Sequence, residues 1–220
     1  HLTEIEMYND LIQHNRKQFP EKLDLALRSL ILFFLNSYYS VSENHKKHGF
    51  QYSDEVVTAF MNSIDNKSFI DSLDKSRSGD VILIKAIYYS NKITVENDVS
   101  GYLKLKNILS KNSEIISPQQ KMIFYNRLFT FYGNYNLIND DRFLRNQIND
   151  YRTVLKEKLF LVLYSHISKL FVRNYVNACN LSLKYNAIKN FITDYTRYFY
   201  SEDREGLTNY CLAFYYSGKR

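Results

Sequence analysis

Apolar residues recur at every third or fourth position along most of this chain of 220 residues, which is the spacing of helices that bury one face. A capping box at Thr3–Glu6 opens a short amphipathic helix that ends near Lys17. A long helix begins after Pro20, and its apolar face comprises Leu23, Ala26, Leu27, Leu30, Phe34 and Tyr38. Two more helices are predicted in this part of the chain, one after Ser53 and a shorter one from Ser68 to Lys75.

The predicted helices become regular after the break at Ser76–Asp80. Val81–Ile93 and Val99–Leu109 form a first pair. The first four residues of this pair also fit a strand by composition, but no second strand candidate exists to pair with them. Ser117, Pro118 and Gln120 together mark the start of a further helix, whose face comprises Met122, Tyr125, Leu128, Phe129 and Tyr132. A loop is predicted at Gly133–Asp140, followed by a helix from Asp141 to about Lys158.

Three helices are predicted in the remainder. The first carries Leu163, Ile167, Leu170, Phe171, Ala178 and Leu181, and the second carries Ile188, Phe191, Ile192, Tyr195, Tyr198 and Phe199. The last is capped by Ser201–Asp203 and ends at Gly218. Helix starts near residues 81, 118, 164 and 203 define units of about 35 to 45 residues, the length of helix-pair repeats. The pattern predicts an all-α fold, an α-solenoid of stacked antiparallel helix pairs with irregular repeats, in which an N-terminal helical segment (1–78) continues into repeats (79–220).

The predicted core lies in the later helices. The residues expected to be largely buried are Leu128, Phe129, Leu163, Ile167, Leu170, Phe191, Ile192, Tyr195, Leu207, Cys211 and Phe214. Because Leu170 lies within one of these helices, the substitution Leu170→Ala is expected to cost about 2–5 kcal/mol.

The last quarter of the chain resembles the tetratricopeptide-like helix arrays of bacterial proteins. The resemblance is carried by Asn174–Cys179, Ile188–Ile192, Arg204 and Asn209–Lys219. In such repeats a Leu, a small residue and an aromatic three positions later let the first helix pack closely on the second, and Leu212, Ala213 and Tyr216 match this spacing. The resemblance implies helix packing and a binding role, and it specifies no chemistry.

Composition agrees with long helices and adds a mild positive charge. Gly (6) and Pro (2) are scarce, and 29 Lys and Arg are scattered among 23 Asp and Glu for a net charge of +6. The longest basic cluster, at His45–His48, is shorter than the like-charge runs that mark nucleic-acid-binding tails. The 20 tyrosines are explained equally well by the codon bias of an AT-rich genome and by an aromatic binding surface.

Candidate chemical groups are sparse. His45 and His48, with Glu43 as a third ligand, have the spacing of a metal site, but the lysines between them favour an exposed turn. Cys179 and Cys211 lie in apolar helical patterns with no adjacent His, which indicates packing residues in a reducing cytoplasm. The carboxylate pairs Asp71/Asp74 and Asp140/Asp141 suit helix caps and surfaces. Because phosphate-binding and nucleophile motifs are absent, we expect no enzymatic activity, no metal and no cofactor.

The sequence therefore favours a protein–protein interaction scaffold or adaptor whose partner is a peptide, a helix or another domain of the same polypeptide. The alternative is a helical repeat that binds nucleic acid in a basic, Tyr-rich groove. No membrane span is expected, since the most apolar run, Ser29–Leu35, is too short to cross a bilayer. The helix before Gly218 has more apolar positions than one buried stripe requires, so we expect the natural protein to continue past Arg220 or to self-associate through this helix.

Overall fold

The computed structural model describes residues 27, 28, 30, 31, 66–73, 78–134 and 141–218. This described part contains nine α-helices and no strand, so the prediction of an all-α fold is confirmed there. In chain order the helices are α1 (Asn66–Ser72), α2 (Gly79–Val95), α3 (Val99–Lys111), α4 (Pro118–Asn134), α5 (Asp141–Lys156), α6 (Phe160–Leu163), α7 (Lys169–Leu181), α8 (Tyr185–Tyr195) and α9 (Arg204–Ser217), with a 3₁₀ turn at Thr196–Tyr198.

The chain divides into two compact units. The N-terminal unit comprises residues 1–96 and 100–112, and the C-terminal unit comprises residues 97–99 and 113–220.

In the N-terminal unit, α2 is buried on nearly all sides. The Ser78 hydroxyl caps its start by accepting from the Val81 N–H at 3.4 Å. Even polar side chains are buried along it: the hydroxyl of Thr94 donates to the carbonyl of Ser90 at 2.8 Å within the helix. Residues 81–84 are helical, so the strand alternative for them is excluded. A Cβ on Gly101 of α3 would lie 3.1 Å from the Cβ of Lys92, so glycine permits a close approach of α3 to α2.

In the C-terminal unit, α4 and α5 form an antiparallel pair. The predicted capping box at the start of α4 is present, because the Gln120 N–H donates to the Ser117 hydroxyl at 3.3 Å while the Ser117 N–H donates to the Gln120 side-chain oxygen at 3.1 Å. At the other end of α4, the rings of Tyr132 and Phe143 are 5.0 Å apart. Lys121 near the start of α4 pairs with Glu157 just after α5 at 3.0 Å.

The helices α7, α8 and α9 pack as an antiparallel pair followed by a third helix. The Ile167 N–H donates to the Tyr198 carbonyl at 2.8 Å, which ties the entry of α7 to the exit of α8. Lys169 pairs with Asp203 at 3.0 Å, and the Tyr210 hydroxyl donates to Asn177 at 3.0 Å. The first contact joins the start of α7 to the start of α9, and the second joins the middle of α7 to the middle of α9. The two helices therefore lie side by side and run in the same direction.

Stacked aromatic rings connect these helices through the core of the C-terminal unit. Tyr151 of α5 stacks on Phe129 of α4 at 4.1 Å between ring centroids and meets Phe171 of α7 edge-on at 4.8 Å. Tyr175 of α7 continues the cluster to Phe191 of α8 at 4.8 Å. Aromatic pairs at these distances add to the stability gained from burial. Many of the aromatic residues thus serve packing.

The predicted helix through Leu163–Leu181 is wrong in its first part. Leu163 ends the short α6, the chain is extended at Tyr164, and α7 begins only at Lys169. Ser168 explains the break, because its hydroxyl accepts from the Phe171 N–H at 3.2 Å and so caps a new helix. Leu170 then falls in the first turn on the outer side, where 68% of it is exposed. The prediction that Leu170 is buried is therefore wrong.

Other helix ends differ from the predicted ones by a few residues. Gly133 belongs to α4 rather than to the predicted loop, and residues 135–140 lie outside the described part. The helix predicted to reach Lys158 ends at Lys156, and Lys158 takes a positive φ of 52°. The helix predicted through Phe199 ends at Tyr195, where a 3₁₀ turn follows. Asp203 precedes α9 as predicted, but its side chain makes no capping bond.

The remaining core predictions divide into two groups. Leu128, Ile167, Phe191, Leu207 and Cys211 are buried, as predicted. Phe129, Leu163, Ile192, Tyr195 and Phe214 are only partly buried. On the predicted long helix near the N-terminus, Leu27 and Leu30 are about half exposed, at 49% and 50%.

Candidate functional site

The outer face of α7 carries two exposed leucines separated by polar residues. We call Leu170, Arg173, Asn177 and Leu181 the α7 outer face; they follow one another at spacings of three and four residues and lie opposite the buried side of the helix. Leu170 is 68% exposed and Leu181 is 47% exposed. A rise of about 1.5 Å per residue places the two leucines about 16 Å apart along the helix. The α7 outer face therefore has an exposed leucine at each end and polar side chains between them.

The α7 outer face is flanked by α9. Asn177 accepts from the hydroxyl of Tyr210, and Lys169 pairs with Asp203, so polar contacts hold the two helices side by side at the surface. On α9 itself, Tyr216 is 59% exposed. Together the two helices offer a surface that is broader than a single helix.

The outer side of α5 carries a row of cations. We call Arg142, Arg145, Arg152 and Lys156 the α5 basic stripe; all four are exposed. Their spacings of three, seven and four residues keep them on one face of the helix, and Asn149 fills the gap. Within the described part, no carboxylate lies at ion-pair distance from Arg145, Arg152 or Lys156. Glu157, the acid next to Lys156, is paired with Lys121.

A cleft of about 470 Å³ lies where the stripe passes the start of α8. Arg152 enters it from α5, Lys184 and Tyr185 from the start of α8, and Tyr215 and Gly218 from the end of α9. Two of its lining residues are cationic and none is acidic. Because Arg152 belongs to both features, the α5 basic stripe and the cleft are continuous.

The turn that forms one wall of the cleft is strained. Leu183 has a φ of 54°, in the left-handed region that suits Gly or Asn, and 73% of its surface is exposed. A residue in this conformation costs about 1–2 kcal/mol. The turn is held by backbone bonds, with the Lys184 N–H donating to the Cys179 carbonyl at 2.8 Å. Lys158, which follows α5, has the same conformation with a φ of 52°, so the turn is a helix C-terminal cap.

The buried thiol of Cys179 lies close to Arg152 and Lys184. Burial raises the pKa of this thiol to about 11. The hydrogen bond with Tyr175 and the positive charges of Arg152 and Lys184 lower the pKa, but by less than burial raises it. Burial likewise raises the pKa of Tyr175. A protonated, buried thiol is a poor nucleophile.

The residues singled out from the sequence for chemistry that the structure describes form no metal-binding group. Cys179 and Cys211 are free, buried thiols, and burial raises the pKa of Cys211 to about 12. Asp71 and Asp141 are exposed, and Asp141 lies in the first turn of α5. The predicted candidates Glu43, His45, His48, Asp74 and Asp140 lie outside the described residues.

The described part contains neither a metal-binding cluster nor a helix that could span a membrane. No three His, Cys, Asp or Glu side chains there are grouped closely enough to bind a metal ion. None of the helices in these residue ranges has the length and apolar character needed to cross a membrane.

Sequence reasoning missed all three surfaces. The α5 basic stripe was detectable, since its cations share one face of a helix that was predicted nearly correctly. The cleft was not, because Arg152, Lys184 and Tyr215 belong to three helices whose packing no local pattern reveals.

No protein-family model, no curated protein and no solved structure matches this chain. Its function is therefore argued from the α7 outer face, the α5 basic stripe and the cleft.

Proposed function

We propose that this chain is a protein-interaction module, a scaffold or adaptor that holds a peptide, a helix or a neighbouring domain of the same polypeptide. The proposed role is binding rather than catalysis. The observation that carries it is the α7 outer face, where Leu170 and Leu181 expose apolar surface that the fold does not use. Exposed apolar contacts with polar residues between them are the pattern of helix and peptide recognition.

The packing of the C-terminal unit supports a tetratricopeptide-like arrangement as part of this proposal. Two antiparallel pairs, α4 with α5 and α7 with α8, are followed by α9, which lies beside α7 in the same direction. This is the order expected of two helix pairs and the first helix of a third. In such an array the aligned first helices would present a continuous surface, and the α7 outer face would be part of it.

The proposal includes a cytoplasmic setting. The two cysteines of the described part are unpaired and buried, which suits a reducing compartment.

Photo-cross-linking tests the proposed surface. A photoreactive amino acid replaces Leu170 in one variant and, as a matched control, the exposed Asn190 of α8 in another. We expect the variant at position 170 to form a discrete cross-linked product with its partner, and the variant at position 190 to form none. A product that contains only this chain would identify self-association through this face. Equal labelling at both positions, or none at position 170, would contradict the proposal.

A second candidate function is the binding of single-stranded nucleic acid, and the α5 basic stripe is the observation that favours it. Three of its cations have no carboxylate partner within the described part. Rows of Arg and Lys along one face attract a phosphate backbone, and each contact adds to the salt dependence of binding.

The salt dependence of oligonucleotide binding tests this second function. The variant Arg142→Gln/Arg145→Gln/Lys156→Gln removes three charges from the stripe and leaves Arg152 in place. The control Lys158→Gln/Lys189→Gln/Arg197→Gln removes three exposed charges elsewhere. We expect the slope of log affinity against log salt to fall by about 2 for the stripe variant, from about 0.7 per phosphate contact, and to stay unchanged for the control. Equal slopes in the two variants would exclude the stripe as the binding surface.

A further inference from the structure

We propose that the cleft at the start of α8 binds a nucleotide, either free or as one unit of a single strand. The single-strand form of this proposal rests on the second candidate function, whereas the free-nucleotide form does not. The cleft combines two cations with an aromatic and apolar wall, and its volume of about 470 Å³ lies in the range of small-molecule sites.

The cations select an anionic group. Arg152 and Lys184 reach the cleft from different helices, and no acidic residue lines it. Arg is suited to paired contacts with phosphate oxygens, and Lys acts as a point charge. Two converging cations without a local carboxylate therefore favour a phosphate over a neutral ligand.

The aromatic lining of the cleft favours a planar base next to the phosphate. The half-buried Tyr185, the exposed Leu183 and the buried Tyr215 line the cleft. Tyrosine rings bind bases by stacking, and every base offers a face for this. An acidic peptide would satisfy the cations, but it would leave the aromatic wall without a matching partner.

Gly218 fixes the position of the Tyr185 ring. A Cβ at Gly218 would overlap that ring, so only glycine lets the ring lie against the end of α9. The substitution Gly218→Ala must push the ring out of its present place without changing any charge. The shape of the cleft can therefore be altered separately from its electrostatics.

The experiment measures the binding of adenosine 5′-monophosphate, adenosine and inorganic phosphate by calorimetry. We expect the monophosphate to bind at least about tenfold more tightly than either part alone, because the cations and the aromatic wall both contribute. Lys184→Gln should weaken it about tenfold through the loss of a charged contact. Gly218→Ala should weaken it several-fold, whereas Lys189→Gln, which removes an exposed charge from the same helix, should have no effect.

A labelled oligothymidylate, measured with the same variants, distinguishes the source of the nucleotide. If its affinity falls with both the cleft and the stripe variants, the cleft takes a unit of a single strand. If the monophosphate binds as expected and the oligonucleotide does not, the cleft takes a free nucleotide and the second candidate function fails alone.

Three results would overturn the cleft proposal. The first is no binding of the monophosphate together with oligonucleotide affinity that depends on the stripe alone. The second is monophosphate affinity that neither Lys184→Gln nor Gly218→Ala changes. The third is equal competition by polyglutamate, which would assign the cleft to acidic peptides.

Discussion

Leu170 and Phe171 are neighbours in α7, yet 68% of Leu170 is exposed and only 8% of Phe171. Phe171 meets Tyr151 and Phe129 in the aromatic cluster, as part of the inner face of the helix. Leu170 begins the α7 outer face. The hydrophobic residue of the inner face packs in the core, whereas the hydrophobic residue of the outer face is exposed to solvent.

The difference shows that apolar character alone does not mark the core of this protein. On the inner face, interlocking rings join four helices, so each residue there is constrained by several neighbours. On the outer face, the leucines lie in line with Arg173 and Asn177 and gain little from folding. Surface that folding leaves exposed is available for a partner.

The largest expected effect comes from the centre of the inner face. Tyr151 is 1% exposed and contacts rings of α4 and α7. Tyr151→Ala should lower the free energy of unfolding by about 3–5 kcal/mol, measured by urea denaturation, because it removes a ring and leaves a cavity.

The matched control for this substitution keeps the ring. The Tyr151 hydroxyl is buried, and the polar side chains of Gln147 and Asn174 lie next to it. Tyr151→Phe keeps the ring and removes only these polar contacts, so it should cost at most about 1.5 kcal/mol. If the two variants lose equal stability, the hydroxyl rather than the ring sustains the inner face.

A smaller loss of unfolding free energy is expected when the hydrogen bond to Asp150, the one buried carboxylate of the described part, is removed. The hydroxyl of Tyr132 donates a hydrogen bond to it, and both residues are buried. Tyr132→Phe should cost about 1.5–3 kcal/mol of unfolding free energy, the range for a hydrogen bond to a charged group. Tyr164→Phe, at a tyrosine that is 48% exposed, is the control and should cost nothing measurable. Equal stability of the two variants would show that Asp150 does not need this bond.

Strong local signals made much of the fold predictable. The capping box at Ser117 and Gln120 fixed the start of α4, and the regular spacing of apolar residues identified α2, α3 and α5 as helices. The break before α7 was missed because Ile167 and Leu170 continue the helical spacing across Ser168. There, a bond between Ile167 and Tyr198, which are distant in sequence, and a serine cap override the periodicity.

The candidate surfaces were harder to predict than the helices. Exposure of Leu170 follows from where α7 begins, so one wrong boundary moved a surface residue into the predicted core. The cleft depends on contact between the start of α8 and the end of α9, shown by Tyr185 and Gly218. Such contacts depend on packing between helices, which hydrophobic spacing does not encode.

Alkaline pH should gradually lower the free energy of unfolding of the chain. Burial raises the pKa of Cys179 to about 11 and of Cys211 to about 12, from the usual 9.0. Because the unfolded thiols ionise first, stability is complete below about pH 9 and falls as the pH rises toward about 11. Urea unfolding at pH about 8 and about 10 should show this fall, and it should be smaller in Cys179→Ala/Cys211→Ala. A fall of the same size in that variant would show that the thiols do not cause it.

The smallest expected effect tests most directly the claim that the inner face makes the fold while the α7 outer face is left for a partner. The measurement is the free energy of unfolding of Leu170→Ala relative to the unmodified chain. Because Leu170 is 68% exposed, we predict a change within about 0.5 kcal/mol, as for other surface substitutions. A loss of about 2–5 kcal/mol, the cost of truncating a buried leucine, would contradict the account and return Leu170 to the core.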